Sequence, residues 1–398
     1  MKKISIIFAS LLSLNAIATD WMQFRGPHGN GISDEAPLTS KLGETNVAWK
    51  SALPGRGVSS PLIIGEKVFV TCSSGAKQER LHVICLNAKD GARLWERQFW
   101  ATGRTLCHPK IGVAAPTPAS DGRRLYAIFS SNDLLCLDLE GNLLWLRGLT
   151  RDYPKASNNL GLSSSLAVVG DVVIAMSENE GDSFTAGLDA ATGENRWKIS
   201  RPKQATWTSP IVITAGGGRS LVALQSGAGV TAIDPSSGKI VWGTTNEAST
   251  IPSAAFLRDV LYVPGGGITA WKLDAANQPT QLWKVAQLAA STASPVAFGE
   301  KLFTVNSASV LTCADVADGK RLWQLRLQGP FSATPVASGS TLYCVSEKGV
   351  LQTVDTTKPE GEIVSTFELK ETILATPAIA NGALYLRSDA TLWKLKSS

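Results

Sequence analysis

The sequence predicts an all-β fold, a single eight-bladed β-propeller of four-stranded antiparallel blades, and three observations carry that reading. A unit of hydrophobic residue, Asp, small residues, Gly and Trp recurs with Asp-equivalent positions at 87, 138, 189, 234, 274, 315 and 355. The spacing, 40 to 51 residues, is that of one propeller blade. Eight strand openers mark the inner strands: Ser60-Pro61, Thr117-Pro118, Ser165-Leu166, Ser209-Pro210, Pro252-Ser253, Ser294-Pro295, Thr334-Pro335 and Thr376-Pro377. Finally, Val47-Ala48-Trp49-Lys50 looks like the last strand of a unit whose other strands lie at residues 376–395. The N-terminal strand is therefore expected to complete the C-terminal blade, closing the ring and removing exposed sheet edges.

Each part of the unit has a local cause, clearest in Leu188-Asp189-Ala190-Ala191-Thr192-Gly193-Glu194-Asn195-Arg196-Trp197. The Asp accepts hydrogen bonds from the amides just ahead of it, and Gly supplies the positive φ that ends the turn. The Trp falls on the outermost strand, where a large flat ring covers the seam to the adjacent blade. Trp49, Trp95, Trp145, Trp197, Trp242, Trp283 and Trp323 are assigned this blade-docking role. Pro in the openers is acceptable because it stands at the first residue of a strand.

The chain divides into a secretory signal peptide over residues 1–18, an N-terminal strap over 19–44 and the propeller over 45–398. Lys2 and Lys3, an apolar run and Ala16-Ile17-Ala18 give the signal-peptide pattern. The product is expected to be periplasmic or secreted, without a lipid anchor because no Cys lies near the cleavage signature, and monomeric. The strap is too rich in Gly and Pro for regular structure. Removal of Lys2 and Lys3 lowers the formal charge from +5 to +3, which gives no nucleic-acid footprint.

Among the six cysteines, Cys85, Cys136 and Cys313 stand two residues before the turn Asn/Asp, where other units have Gly187 and Ala232. They are taken as small buried hydrophobes. Cys72 and Cys107 are the pair able to meet on one face.

With these units in view, the chain resembles the pyrroloquinoline quinone (PQQ) repeat propellers. That superfamily includes quinoprotein alcohol dehydrogenases and the BamB-type scaffold of outer-membrane protein assembly. Trp21-x-Gln23-Phe24-Arg25-Gly26-Pro27 also resembles the start of a secreted bacterial PQQ-like group. The dehydrogenase resemblance implies an adjacent Cys pair over the quinone, Ca²⁺ on carboxylate and amide oxygens, and an Asp base. No two cysteines are adjacent here, and the comparable acidic run is Glu178-Asn179-Glu180-Gly181-Asp182. PQQ and Ca²⁺ thus have no supporting motif, and no catalytic residue or metal ligand is assigned.

The connections after Trp95 and Trp145 are long, and long loops carry function in repeat folds. With the turn at 178–182, they place Arg104, His108, Lys110, Asn132, Asp152, Asn158, Asn159, Glu178, Glu180 and Asp182 around one polar funnel, the candidate ligand site. Cys107 and His108 are adjacent in a loop, a poor geometry for nucleophile and base, and His28 and His82 are assigned structural roles. The function expected is a non-catalytic binding or scaffold propeller holding a cell-envelope protein or other ligand on this top face. The alternative is a PQQ-dependent or related oxidoreductase with a reduced site. A polysaccharide-directed role using Trp100, Trp207 and Tyr153 is the weakest reading.

Overall fold

A computed structural model describes residues 19–156, 159–214 and 218–397. The expected signal peptide and Asn158 lie outside the described residues. Eight antiparallel sheets follow one another along the chain. Blade 1 consists of Leu62–Ile64, Lys67–Ser74, Arg80–Asn87 and Arg93–Trp100, running from the axis outwards. Blades 2 to 7 repeat that order. Blade 8 combines Ala378–Ala380, Ala383–Arg387 and Thr391–Lys396 with Val47–Ala52 as its outermost strand, paired antiparallel to Thr391–Lys396. The ring closes as expected.

Every blade carries a bulge between its third and fourth strands, always at the residue before the Trp position. In blade 1, Leu86 pairs with Arg93 and Cys85 with Trp95, leaving Leu94 as the extra residue. The same slip leaves out Leu144, Arg196, Val241, Leu282, Leu322, Val364 and Ala48 in the other blades. A bulge twists the edge strand and turns the next side chain inwards. Bulged Leu94, Leu144, Leu282 and Leu322 are left about half exposed on the outer rim.

The bulge also explains the cysteines. Opposite six of the seven docking Trp stands a small residue: Cys85 under Trp95, Cys136 under Trp145, Gly187 under Trp197, Ala232 under Trp242, Ala270 under Trp283 and Cys313 under Trp323, while Trp49 faces Lys394. A Cβ on Gly187 would already lie 2.1 Å from the Trp197 ring. All six cysteines are free thiols. Cys72 is buried beside Arg387 while Cys107 lies in an upper loop near Gln78, so the two do not pair. Burial pushes the thiols of Cys85, Cys136, Cys313 and Cys344 up to about 12.

The strap is built mostly of turns, as its Gly and Pro require, but Ile32–Ser33 adds a short parallel strand inside blade 7. It crosses the lower face, the side carrying the Asp–Gly turns. Trp21 bridges to Ile63 of blade 1 and the Met22 carbonyl accepts from Ser120 of blade 2. Arg25 donates to the carbonyls of Ala254 (2.7 Å) and Pro295 (2.9 Å), in blades 5 and 6. Glu35 accepts from the amides of Asn381 and Gly382 in blade 8. Burial lowers the Arg25 guanidinium to about 10. No helix among the described residues is long and apolar enough to cross a membrane.

Candidate binding site

The eight inner-strand openers converge on the axis and form a belt of hydroxyls. The Ser60 amide donates to Thr117 Oγ1, Thr117 to Ser165, Ser165 to Ser209, Ser209 to Ser253, Ser253 to Ser294, Ser294 to Thr334 and Thr334 to Thr376, all at 2.9 to 3.1 Å. At the opener positions the inner strands have no β partner on the axial side, so the next blade's hydroxyl satisfies the amide that a partner strand would otherwise take. The eighth link, from Thr376 to Ser60, is not made, and Ser60 Oγ is buried without a partner. This is the junction where blade 8 meets blade 1. Next to it the buried Arg387 donates to the carbonyl and hydroxyl of Ser59.

Two residues before each opener lies a second ring: Val58, Ala115, Ser163, Trp207, Ile251, Thr292, Ser332 and Leu374. Together with the belt residues other than Ser60, with Ile111, and with Phe24 from the strap, these residues line an axial cavity of about 140 Å³. The strap supplies Phe24 from the lower face, so the cavity opens upwards. Its lining is hydroxyl and apolar, with no charged side chain.

Around the mouth the upper loops are joined into a crest. The His108 amide donates to the Leu160 carbonyl at 3.1 Å, binding the loop after blade 1 to the loop after blade 2. Trp207 extends the series: its indole donates to the Gly161 carbonyl at 2.9 Å, and its amide to the Thr250 carbonyl at 2.8 Å. Four successive connections are thus held together, and they present Leu106, Leu160 and Ile251 at 45 to 50 % exposure beside the half-buried Trp207.

The residues expected in the funnel divide by placement. Arg104 bonds Asn159 at 3.4 Å on the crest. His108 is exposed and accepts from the Lys110 amide. Lys110 reaches Glu347 of blade 7 at 2.7 Å, and Ser332, in the cavity wall, donates to the same Glu347 oxygen. Glu180 is exposed and Asp182 half-buried. The other three lie elsewhere. Asn132 is buried, donating to the Ala156 carbonyl and accepting from Ser177, in a left-handed turn with φ of 63°. Asp152 pairs with Arg147 on the outermost strand of blade 2. Glu178 is sealed under the loops in an ion pair with Arg201 at 2.6 Å. Burial raises the Glu178 carboxyl above its usual range, against the pull of Arg201.

These placements bear on the cofactors considered from sequence. Ca²⁺ takes six to eight oxygens including carboxylates, and the cavity wall offers hydroxyls alone. In the acidic run, Glu178 is committed to Arg201 and Asn179 to its own turn. No cluster of three or more His, Cys, Asp or Glu among the described residues has metal-binding geometry. PQQ is an anionic tricarboxylate, and no cation lines the cavity to receive it. The residues present do not fit this pair of groups.

The belt and the crest were missed from sequence, although the recurring Ser or Thr of the openers was the signal for the belt. The crest had only one signal, the length of two loops.

The family model described as outer membrane protein assembly factor BamB matches residues 44–200, 161–264, 182–287 and 270–360. No curated protein matches the chain. Among solved structures, BamB from Moraxella catarrhalis superposes with a TM-score of 0.63 at 16% identity, covering 88% of this chain and 96% of that one. Quinohemoprotein alcohol dehydrogenase from Comamonas testosteroni gives 0.68 at 12% identity, over 95% of this chain and 81% of its own. The computationally designed Ika8 protein gives 0.62 at 11% identity, over 88% and 100%. At such identities the likeness is one of fold.

Proposed function

Because the chain belongs to the outer membrane protein assembly factor BamB family, we propose that it is a binding propeller of the cell envelope, holding a protein partner on its upper face. The observation that carries this reading is the crest. Leu106, Leu160 and Ile251 form an apolar strip on loops tied together by backbone hydrogen bonds, beside the polar groups Arg104, His108 and Lys110. A rigid apolar centre with a polar rim is the anatomy of a protein-binding surface. The lining of the axial cavity supports binding over quinone chemistry, since it lacks the charged groups a quinone and its metal require. The protein acts as a monomer delivered by the N-terminal signal.

Site-specific photo-crosslinking in the native envelope tests this. A crosslinker at position 106 is expected to give one discrete adduct, lost when Leu160→Glu is added. The same crosslinker at Ser236, in a lower-face turn, is expected to give none. Equal labelling from both faces, or an adduct indifferent to Leu160→Glu, refutes the assignment.

A further inference from the structure

The cleft between blade 8 and blade 1 holds three polar side chains in series that the binding role does not use. Ser74 ends the second strand of blade 1, His82 lies on the third and Glu96 on the fourth. Cys72 is paired with His82, and Ile84 with Glu96. Ser74, His82 and Glu96 therefore share one face, each two residues diagonal from the next, a spacing that long side chains can bridge. Ser74 Oγ is 2.7 Å from His82 Nε2, and His82 Nδ1 is 2.7 Å from Glu96 Oε1.

The protonation pattern follows from the third member. Burial raises the Glu96 carboxyl, but hydrogen bonds from His82 and Gln98 and the charge of Arg93 outweigh it and bring it below its usual range. Gln98 donates to Oε1 at 3.0 Å and Arg93 to Oε2 at 2.6 Å. An ionised carboxylate only accepts, so the ring proton sits on Nδ1 and Nε2 is left to accept the Ser74 hydroxyl. His82 is 3% exposed, whereas Ser74 is only half-buried at the lip of the cleft. The amide of Gly75, next in the chain, has no partner among the described residues and is the donor at hand for an oxyanion. Nucleophile, base and orienting carboxylate stand in the order acyl transfer needs.

We propose that Ser74 is a nucleophile that hydrolyses small carboxylic esters, with His82 as general base and Glu96 as the positioning residue. Ser74 Oγ bonds to the ester carbonyl carbon as its proton passes to His82 Nε2. The tetrahedral adduct collapses, the ester C–O bond breaks, and His82 returns that proton to the departing alcohol. Water then attacks the acyl-serine, giving its proton to His82. The acyl C–Oγ bond breaks to release a carboxylic acid, and His82 reprotonates Ser74. An alcohol leaving group needs only the one proton that His82 carries, which is why an ester is the substrate class. This activity is distinct from partner binding on the apolar crest, although Ser74 stands at the upper end of its strand, where the following loop is tied through Gln78 to Cys107 and Val113; it departs from the expectation of a non-catalytic protein with a structural His82.

The full mature protein is treated with a fluorophosphonate, and adducts are located by peptide mass. The expected result is a single adduct on Ser74, absent in Ser74→Ala, with the labelling rate lowered on the order of 10²-fold or more in His82→Gln. Glu96→Gln, isosteric and nearer the surface, is expected to slow labelling as well while circular dichroism is unchanged. It also serves as the base-side variant if His82→Gln does not fold. An unmodified Ser74 in the folded wild type, or a labelling rate unaltered in the folded base-side variant, overturns the proposal.

Discussion

The indole Nε1 of Trp197 donates to the carbonyl of Pro235 at 2.9 Å, in the Asp–Gly turn of the following blade. Trp49, Trp95, Trp145 and Trp283 make the same bond to Ala88, Leu139, Ala190 and Val316. Trp242 and Trp323 do not, and their indole nitrogens are buried without partners. These are the two whose receiving turns depart from the motif: Asp274 is followed by Asn277 in place of Gly, and the turn after Asp355 is lengthened to Gly361. A change in turn sequence in one blade therefore costs a hydrogen bond of its neighbour. Replacement of Trp197 by Phe should cost about 1 kcal/mol more than Trp242→Phe, since only the first loses a bond. Urea denaturation of the two variants measures the difference.

The hydroxyl belt makes an internal comparison. Ser253→Ala removes the acceptor of a buried amide and should destabilise by about 1–3 kcal/mol. Ser60→Ala removes a hydroxyl that is buried without a partner, and should be neutral or slightly stabilising. Equal losses at the two sites would show that the gap in the belt is filled in solution.

The Glu178–Arg201 pair is sealed from water, so breaking it from the two ends has unequal effects. Arg201→Met leaves an uncompensated carboxylate and should cost about 3–5 kcal/mol at neutral pH, whereas Glu178→Gln with Arg201→Met should recover most of the loss. Without Arg201 the folded-state carboxyl rises further above its unfolded value near 4.3. Its protonated form is then the one the fold favours, so the deficit of Arg201→Met shrinks as pH falls towards 4. Denaturation at pH 4 and pH 7 gives both numbers.

The lower-face turns set the response to acid. Hydrogen bonds from Arg196 and from the Thr192 and Ala191 amides hold the Asp189 carboxyl at about 2. Ser236, Arg219 and Ser237 hold Asp234 well below its usual range. Both are depressed relative to an unfolded Asp near 3.9. Their contribution is complete above about pH 4 and is lost as pH falls through the folded-state values. Asp189→Asn should lower stability at neutral pH and flatten the acid limb between about pH 4 and 2, as read from urea midpoints across that range.

The repeat unit, blade number and closing strand were legible because each depends on residues close in sequence: the Asp at the turn, the Gly at positive φ, the Trp after the bulge. Gly193, with φ of 74° and a Cβ position 2.7 Å from the Trp145 ring, meets two requirements that only Gly satisfies. The site was less legible because it depends on which blade faces which. Glu178 and Glu180 are two residues apart, yet one is sealed against Arg201 and the other is exposed. His82 looked isolated because Ser74 and Glu96 are eight and fourteen residues away, on neighbouring strands whose pairing register brings them to one face. Asp152 was misplaced for a similar reason, since a four-residue helix, Leu149–Asp152, turns it towards Arg147.

The pairing of Val47–Ala52 with Thr391–Lys396 has a consequence for how the molecule is made. The blade strand synthesised first can find its partner only when nearly the whole chain has emerged, a contact spanning over three hundred residues. Until then its backbone donors and acceptors stay open to any other strand. Closure of so long a loop is an entropic burden that delays the final docking step. A nascent propeller is accordingly most vulnerable to mispairing at the interface between its oldest and youngest residues.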